Sequence, residues 1–152
     1  MFARMVKMNP QDLAAQLGVS FTPLTRGYLN LCIRTGNLLI TSGHVSDLKG
    51  KLGAGLTTEE GYAAARNCAD KILNSVWNAH GTLNGLKLIK VLGCVNSAPE
   101  FIEQHLVING ASDLFLKVFG NEDGFHARSA LGFASLPVGA AVEVEAIFEI
   151  TS

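Results

Sequence analysis

Charged side chains are scarce in this sequence: they make up 16% of its 152 residues, against 48% for hydrophobic ones. The 12 basic and 13 acidic residues balance to a formal charge of -1. No window gathers the basic cluster that a phosphate backbone requires, so nucleic acid is not expected as a partner. Aromatic residues are also few, at 7% with a single Trp, which leaves little material for base-stacking platforms. Cys32, Cys68 and Cys94 are an odd number, far apart and without CxxC or zinc spacing. They read as buried thiols in a reducing compartment. His44, His80, His105 and His126 show no ligand spacing, so no metal site is expected. The 16 glycines form neither a GxGxxG fingerprint nor a P-loop, so nucleotide phosphate binding has no support. No stretch approaches about 18 uninterrupted apolar residues, and the opening MFARMVKMNP lacks an apolar h-region. The chain therefore reads as cytoplasmic, without a membrane span, and Met5 is a second candidate start.

What is present suits one domain over residues 1–152, with 1–23 as an N-terminal extension. A chain of this length buries roughly two-thirds or more of the surface its unfolded form exposes. With a mean hydropathy of +0.27, little polar material is left to coat an isolated sphere. Burial between identical subunits is the simplest remedy.

Local patterns place the elements. Asn9-Pro10 opens a short helix that Gly18 closes, with Leu13 and Leu17 on one side. Leu31–Thr35 and Leu38–His44 flank a Gly36-Asn37 turn and predict a hairpin. Thr57 and Glu60 have capping-box spacing ahead of a long helix whose stripe is Tyr62, Ala65, Ala69, Ile72, Leu73 and Val76, ended by Gly81. Leu88–Val95 is apolar enough for a strand buried on both faces, and Asn109–Phe119 is helical until Gly120, with Ala111, Leu114, Phe115 and Val118 in line. Arg128–Leu136 and Ala140–Ile150 flank Pro137-Val138-Gly139 and predict a second hairpin. The order is β-β-α-β-α-β-β after the short helix, an α+β fold with two helices on one face of a mixed sheet. The other face lacks a cover, which a trimer would supply.

The stretch His126–Glu145 carries the most chemistry. Strand parity puts Arg128 and Ala130 on one side, and Glu143 and Glu145 share a face. A hairpin would bring Arg128 close to a glutamate. An Arg fork matches a carboxylate, and a held carboxylate can orient a water. The same pair can also be a purely structural bridge between subunits.

Three motifs in order carry a resemblance: TGNLLITSGH at 35–44, INGASDLF at 108–115 and ARSALGFASLPVGAAVEVEA at 127–146. Over about residues 24–150 the chain resembles the YjgF/YER057c/UK114 (Rid) family, and its long form is similar to a less characterised branch with an N-terminal helical extension. The resemblance implies a chorismate-mutase-like fold and a homotrimer with ligand clefts between subunits. In the deaminase members these clefts hydrolyse 2-aminoacrylate or 2-iminobutanoate to 2-keto acids and ammonia, without metal or cofactor. By that resemblance Arg128 clamps the substrate carboxylate, Glu143 places the attacking water, and Ser42, Gly43 and Asn109 line the cleft, Asn109 at a helix start. Ala130 stands where a cysteine is common, and Tyr28 is one residue from the position of the usual pocket tyrosine. His44 replaces a Gln, and His126 takes a place where Pro is frequent. Three functions follow: hydrolysis of reactive enamines and imines, non-catalytic binding of a small carboxylate metabolite, or the RNA-directed endoribonuclease and translation-inhibitor role attached to the family.

Overall fold

A computed structural model describes residues 7–152, so Met5 lies outside the described residues. Helix α1, Pro10–Gln16, starts as its sequence dictates: the Asn9 side chain accepts from the Asp12 N–H at 2.9 Å, and Pro10 takes the first turn, where no N–H is needed. Ala14 is fully buried and Leu17 packs against the core, which docks α1 on the third helix. The segment after it forms no helix or strand up to Leu31. Asn74 and Asn78 pin that segment by accepting from the N–H groups of Thr22 and Leu24, each at 2.9 Å.

Strands β1 (Cys32–Thr35) and β2 (Leu38–Thr41) form the expected hairpin, with Thr35 opposite Leu38 and Gly36 at φ 58 in the turn. The chain leaves the β2 pairing at Ser42-Gly43, so His44–Val45 is a separate strand, β3, and not the end of β2. A small parallel ribbon, β4 (Lys51–Leu52) and β5 (Gly55–Leu56), precedes helix α2, Thr58–His80. Both bonds of the Thr57/Glu60 capping box form, and Gly81 closes α2 in the left-handed region. Strand β6 is Leu86–Asn96, helix α3 is Gln104–Asp123 with its backbone broken at Gly120, and strand β7 is Ala127–Phe133. A 3-10 turn at Pro137–Gly139 leads to β8, Val142–Ile150.

The sheet order is β1-β2-β8-β6-β7, with β3 beside β8. This corrects the second hairpin. β7 pairs in parallel with β6, and β8 pairs antiparallel with β6, so β6 separates them. The end of β6 is gripped from both sides: Asn96 N–H donates to Ala141 O and Ser97 N–H to Phe133 O, each at 2.9 Å. Residues 134–141 arch over that end. The central place suits the apolar character of β6 better than an edge would. A second correction concerns α3, which starts five residues before Asn109. Val107 and Ile108 are fully buried, and their packing outweighs the capping preference of Asn109, which sits in the second turn.

Helices α2 and α3 lie on one side of the sheet, over Leu39, Val91, Val144 and Phe148, and α1 packs on α3, an α+β arrangement of the kind the resemblance implies. Glycines set the contact distances. A Cβ at Gly110 would fall 2.0 Å from the Tyr62 carbonyl of α2, and one at Gly93 2.4 Å from Ile108. The opposite face presents Ile33, Ile40, Leu131 and Phe133, which are 50%, 39%, 48% and 40% exposed. Ile33, Ile40 and Ile147 stand directly opposite one another across β1, β2 and β8. No helix of the described residues is long and apolar enough to cross a membrane.

Candidate functional site

Most of the residues singled out by sequence fall into two groups, centred on Arg128 and Glu143, which lie on opposite faces of the sheet. Arg128 lies in the row Arg128–Val91–Ala146, with its side chain toward the helices, whereas Glu143 lies in the row Leu131–Cys94–Glu143 on the open side. The expected approach of Arg128 to a glutamate across a hairpin does not occur within one chain, because β6 intervenes and the parities differ.

The first group centres on Arg128. Its Nη1 donates to Asn109 Oδ1 at 2.8 Å and to Ser112 Oγ at 3.1 Å, and its Nη2 donates to the His105 carbonyl at 3.3 Å. All three acceptors belong to α3. A guanidinium has five N–H donors in a fixed fork, so Nε–H and one N–H of Nη2 are left over from these contacts. Among the described residues the ion pair within 4 Å is Lys71–Asp47, and none involves Arg128. Burial lowers the pKa of Arg128 somewhat while Asp113 raises it, but a guanidinium stays charged. Ala130, two residues along the same face, packs against the core opposite Gly93. His126 donates from Nδ1 to the Gly124 carbonyl at 2.7 Å, and its Nε2 lies 2.9 Å from Ser112 Oγ.

The second group is Ser42, Gly43 and Glu143, next to which His44, opposite Val144, turns its ring toward α2. Ser42 is held by its N–H to Leu31 O at 2.9 Å and its hydroxyl to Asn30 O at 2.6 Å. His44, 5% exposed, donates from Nδ1 to Ser42 O at 2.8 Å, so its Nε2 accepts from Ser75 Oγ of α2 at 2.7 Å. Burial lowers the His44 pKa below the ordinary value of 6.5, with Lys71 adding to that effect against the Ser42 bond, so the ring is neutral near pH 7. Gly43 leaves room for Glu143, whose Oε1 would lie 2.0 Å from a Cβ there. Burial, then Glu145, raises the Glu143 carboxyl above its usual 4.5. Such a shift moves a carboxylate toward the range in which it can both take and return a proton.

Tyr28 joins neither group. It is fully exposed on the segment before β1, and it lines an open cleft of about 590 Å³ against Ser75, Asn78 and Ala79 of α2 that contains neither Arg128 nor Glu143. Sequence reasoning missed Ser112, Ser75 and Cys94. Ser112 is three residues from Asn109 on the same helix face, a spacing that could have exposed it. Cys94 is the cross-strand partner of Glu143, a register that no local pattern reveals. Its thiol is pushed up to about 11 by burial, with Glu143 and Glu145 contributing, so at neutral pH it is a neutral neighbour of the carboxylate and not a thiolate nucleophile.

Comparisons agree with this fold. A family model described as "YjgF/chorismate mutase-like, putative endoribonuclease" matches residues 11–149. The protein TCP17 of Trypanosoma cruzi is 44% identical over 154 residues, covering 97% of this chain and 95% of that protein. The crystal structure of Atu1372 from Agrobacterium tumefaciens is 41% identical with a TM-score of 0.83, over 93% of this chain and 92% of that one. A structure from Shewanella oneidensis described as a putative endoribonuclease is 28% identical with a TM-score of 0.85, over 93% and 99%. With its open sheet face, its helices on the other side and a match over nearly the whole length, the chain belongs to the YjgF/chorismate mutase-like family.

Proposed function

We propose that this protein is a cytoplasmic, metal-free hydrolase of small reactive enamines and imines such as 2-aminoacrylate, acting as a homotrimer of one-domain subunits. The observation that carries the reading is Arg128: a guanidinium fixed by three acceptors on α3, with Nε–H and one Nη2–H left over from these contacts and no carboxylate partner within 4 Å among the described residues. A fork held in that way suits a small carboxylate. Glu143, with Ser42 and Gly43, supplies the other requirement, a carboxylate with a raised pKa next to a glycine that gives it space. Because the two groups lie on opposite faces of one sheet, a cleft containing both takes Arg128 from one subunit and Glu143 from another. The bare apolar face of the sheet supports such an assembly.

In that cleft Arg128 holds the carboxylate of the 2-imino acid, which forms from 2-aminoacrylate as a proton passes from its nitrogen to its terminal carbon, and Glu143 accepts a hydrogen bond from a water. As the water oxygen bonds to the imine carbon, Glu143 takes its proton and returns it to nitrogen. The carbinolamine then loses ammonia to leave the 2-keto acid. The imine is already electrophilic, so positioning and one proton transfer account for much of the needed rate. The same clamp would serve a non-catalytic carboxylate-binding protein, and Glu143 separates the two readings. The balanced charge of -1 favours either over an RNA-cleaving role.

The test is release of keto acid from freshly generated 2-aminoacrylate. The purified protein accelerates it, Arg128→Ala abolishes the acceleration, and Glu143→Gln slows turnover while sparing pyruvate binding. No rate above uncatalysed hydrolysis across several imino acids sinks the hydrolase reading in favour of the binding protein.

A further inference from the structure

We propose that Ser112 and His126 are positioning residues that fix the direction of the Arg128 fork and thereby set the affinity of this protein for carboxylates. The proposal rests on Arg128 being the carboxylate clamp. The Gly124 carbonyl can only accept, so the proton of the neutral His126 ring sits on Nδ1, and Nε2 offers a lone pair. The Ser112 hydroxyl, 2.9 Å away, therefore donates to Nε2, and its oxygen lone pairs face Arg128 Nη1 at 3.1 Å. Every proton in the chain Arg128 → Ser112 → His126 → Gly124 is directed by its neighbours, since arginine can only donate.

The ring at the end of this relay is itself anchored. His126 meets Phe115 edge-to-face, with centroids 6.4 Å apart at 87°, and Phe115 is fully buried in the core. The rigidity of the core is passed through ring and hydroxyl to one hydrogen of Nη1, while Asn109 holds the other. With both fixed, the planar fork cannot swivel, and Nε–H and the remaining Nη2–H keep one direction. Substrate held by a fork of fixed direction binds more tightly, because less orientational freedom is lost on binding.

The experiment measures pyruvate affinity by titration calorimetry and KM and kcat for 2-aminoacrylate in folded variants. Ser112→Ala and His126→Asn are expected to weaken pyruvate on the order of tenfold and to raise KM while kcat changes little. Asn can donate to Gly124 O but offers Ser112 no acceptor. His126→Gln, which places an amide oxygen near the Nε2 position, is expected to stay within about twofold of the parent. Pyruvamide, which lacks the carboxylate, reports whether a variant acts through Arg128: its weak binding should not change. A role confined to holding the fold would lower the melting temperature in all three variants without this pattern. Unchanged pyruvate affinity in Ser112→Ala and His126→Asn, with Arg128→Ala abolishing it, overturns the positioning role and leaves the clamp standing. Equal losses in His126→Asn and His126→Gln overturn the relay through Nε2. No effect of Arg128→Ala on pyruvate overturns the clamp and this proposal with it.

Discussion

A Cβ atom on Gly43 would fall 2.0 Å from Oε1 of Glu143, so the carboxylate occupies the space that a side chain at 43 would fill. The obstructing atoms belong to the far end of a flexible side chain, so Gly43→Ala is expected to displace the carboxylate and leave the fold alone. Turnover of 2-aminoacrylate should fall on the order of tenfold to a hundredfold, since small misplacements of a reacting group are costly. The melting temperature should move by only about 2–4 °C. Steady-state kinetics beside a thermal melt check both parts, and full activity in Gly43→Ala would mean that Glu143 has no positional role.

Glu143 should also write its pKa into the pH profile. Burial first, and Glu145 second, raise its carboxyl above 4.5. A carboxylate that takes a proton from water must be ionised, so kcat/KM should fall with decreasing pH through a midpoint above 4.5. Glu145→Gln removes the like charge and should move that midpoint down, whereas Glu143→Gln should flatten the limb at a lower rate. Rates across about pH 4 to 8, after subtraction of the uncatalysed hydrolysis, decide it. An acid limb that survives Glu143→Gln assigns the base elsewhere.

His44 ties stability to pH with a definite sign. Its folded-state pKa lies below 6.5, chiefly through burial, so as pH falls through 6.5 the unfolded chain takes up the proton first. The contribution is fully present above 6.5 and is lost as pH falls toward the folded pKa. His126 is lowered in the same way by burial and by Arg128, against the Gly124 bond. Glu143 and Asp70, whose carboxyls burial raises, act in the opposite sense closer to the carboxylate range. Urea unfolding is therefore best compared between about pH 5.5 and 7.5. His44→Gln should lose about 1–3 kcal/mol at pH 7.5 through its broken bond to the Ser42 carbonyl, yet show a shallower fall toward pH 5.5. An equal slope in parent and variant would remove His44 from the linkage.

These side chains show what the sequence could and could not reveal. The capping box at Thr57, the stop at Gly81 and the Gly36-Asn37 hairpin are local devices whose chemistry lies within a few residues, and each formed as read. Parity was legible too: Arg128 and Ala130 share one face, and Glu143 and Glu145 share the other. Strand order was not. Pro137-Val138-Gly139 has the composition of a hairpin turn, but the insertion of β6 depends on pairings across the chain, such as Ser97 with Phe133 and Asn96 with Ala141. That order, together with the opposite faces of the two residues, separates Arg128 from Glu143. It also hides Cys94, whose place beside Glu143 exists only through the β6–β8 register.

The separation of Arg128 from Glu143 leads to a test that neither variant gives alone. If each working cleft takes Arg128 from one subunit and Glu143 from the next, Arg128→Ala and Glu143→Gln damage different subunits' contributions. Unfolding the two impaired variants together in equal amounts and refolding them should randomise the assembly. A cleft then receives the intact arginine with a chance of one-half and the intact glutamate with the same chance, so about a quarter of clefts become whole. Turnover should rise to about a quarter of the parent's above the residual rate of the Glu143→Gln clefts, while each variant refolded alone stays at its own low level. A site built within one chain would have no such recovery, because every subunit carries one defect. The mixture thus reads directly whether the sheet order, with β6 between β7 and β8, forces this site to be shared.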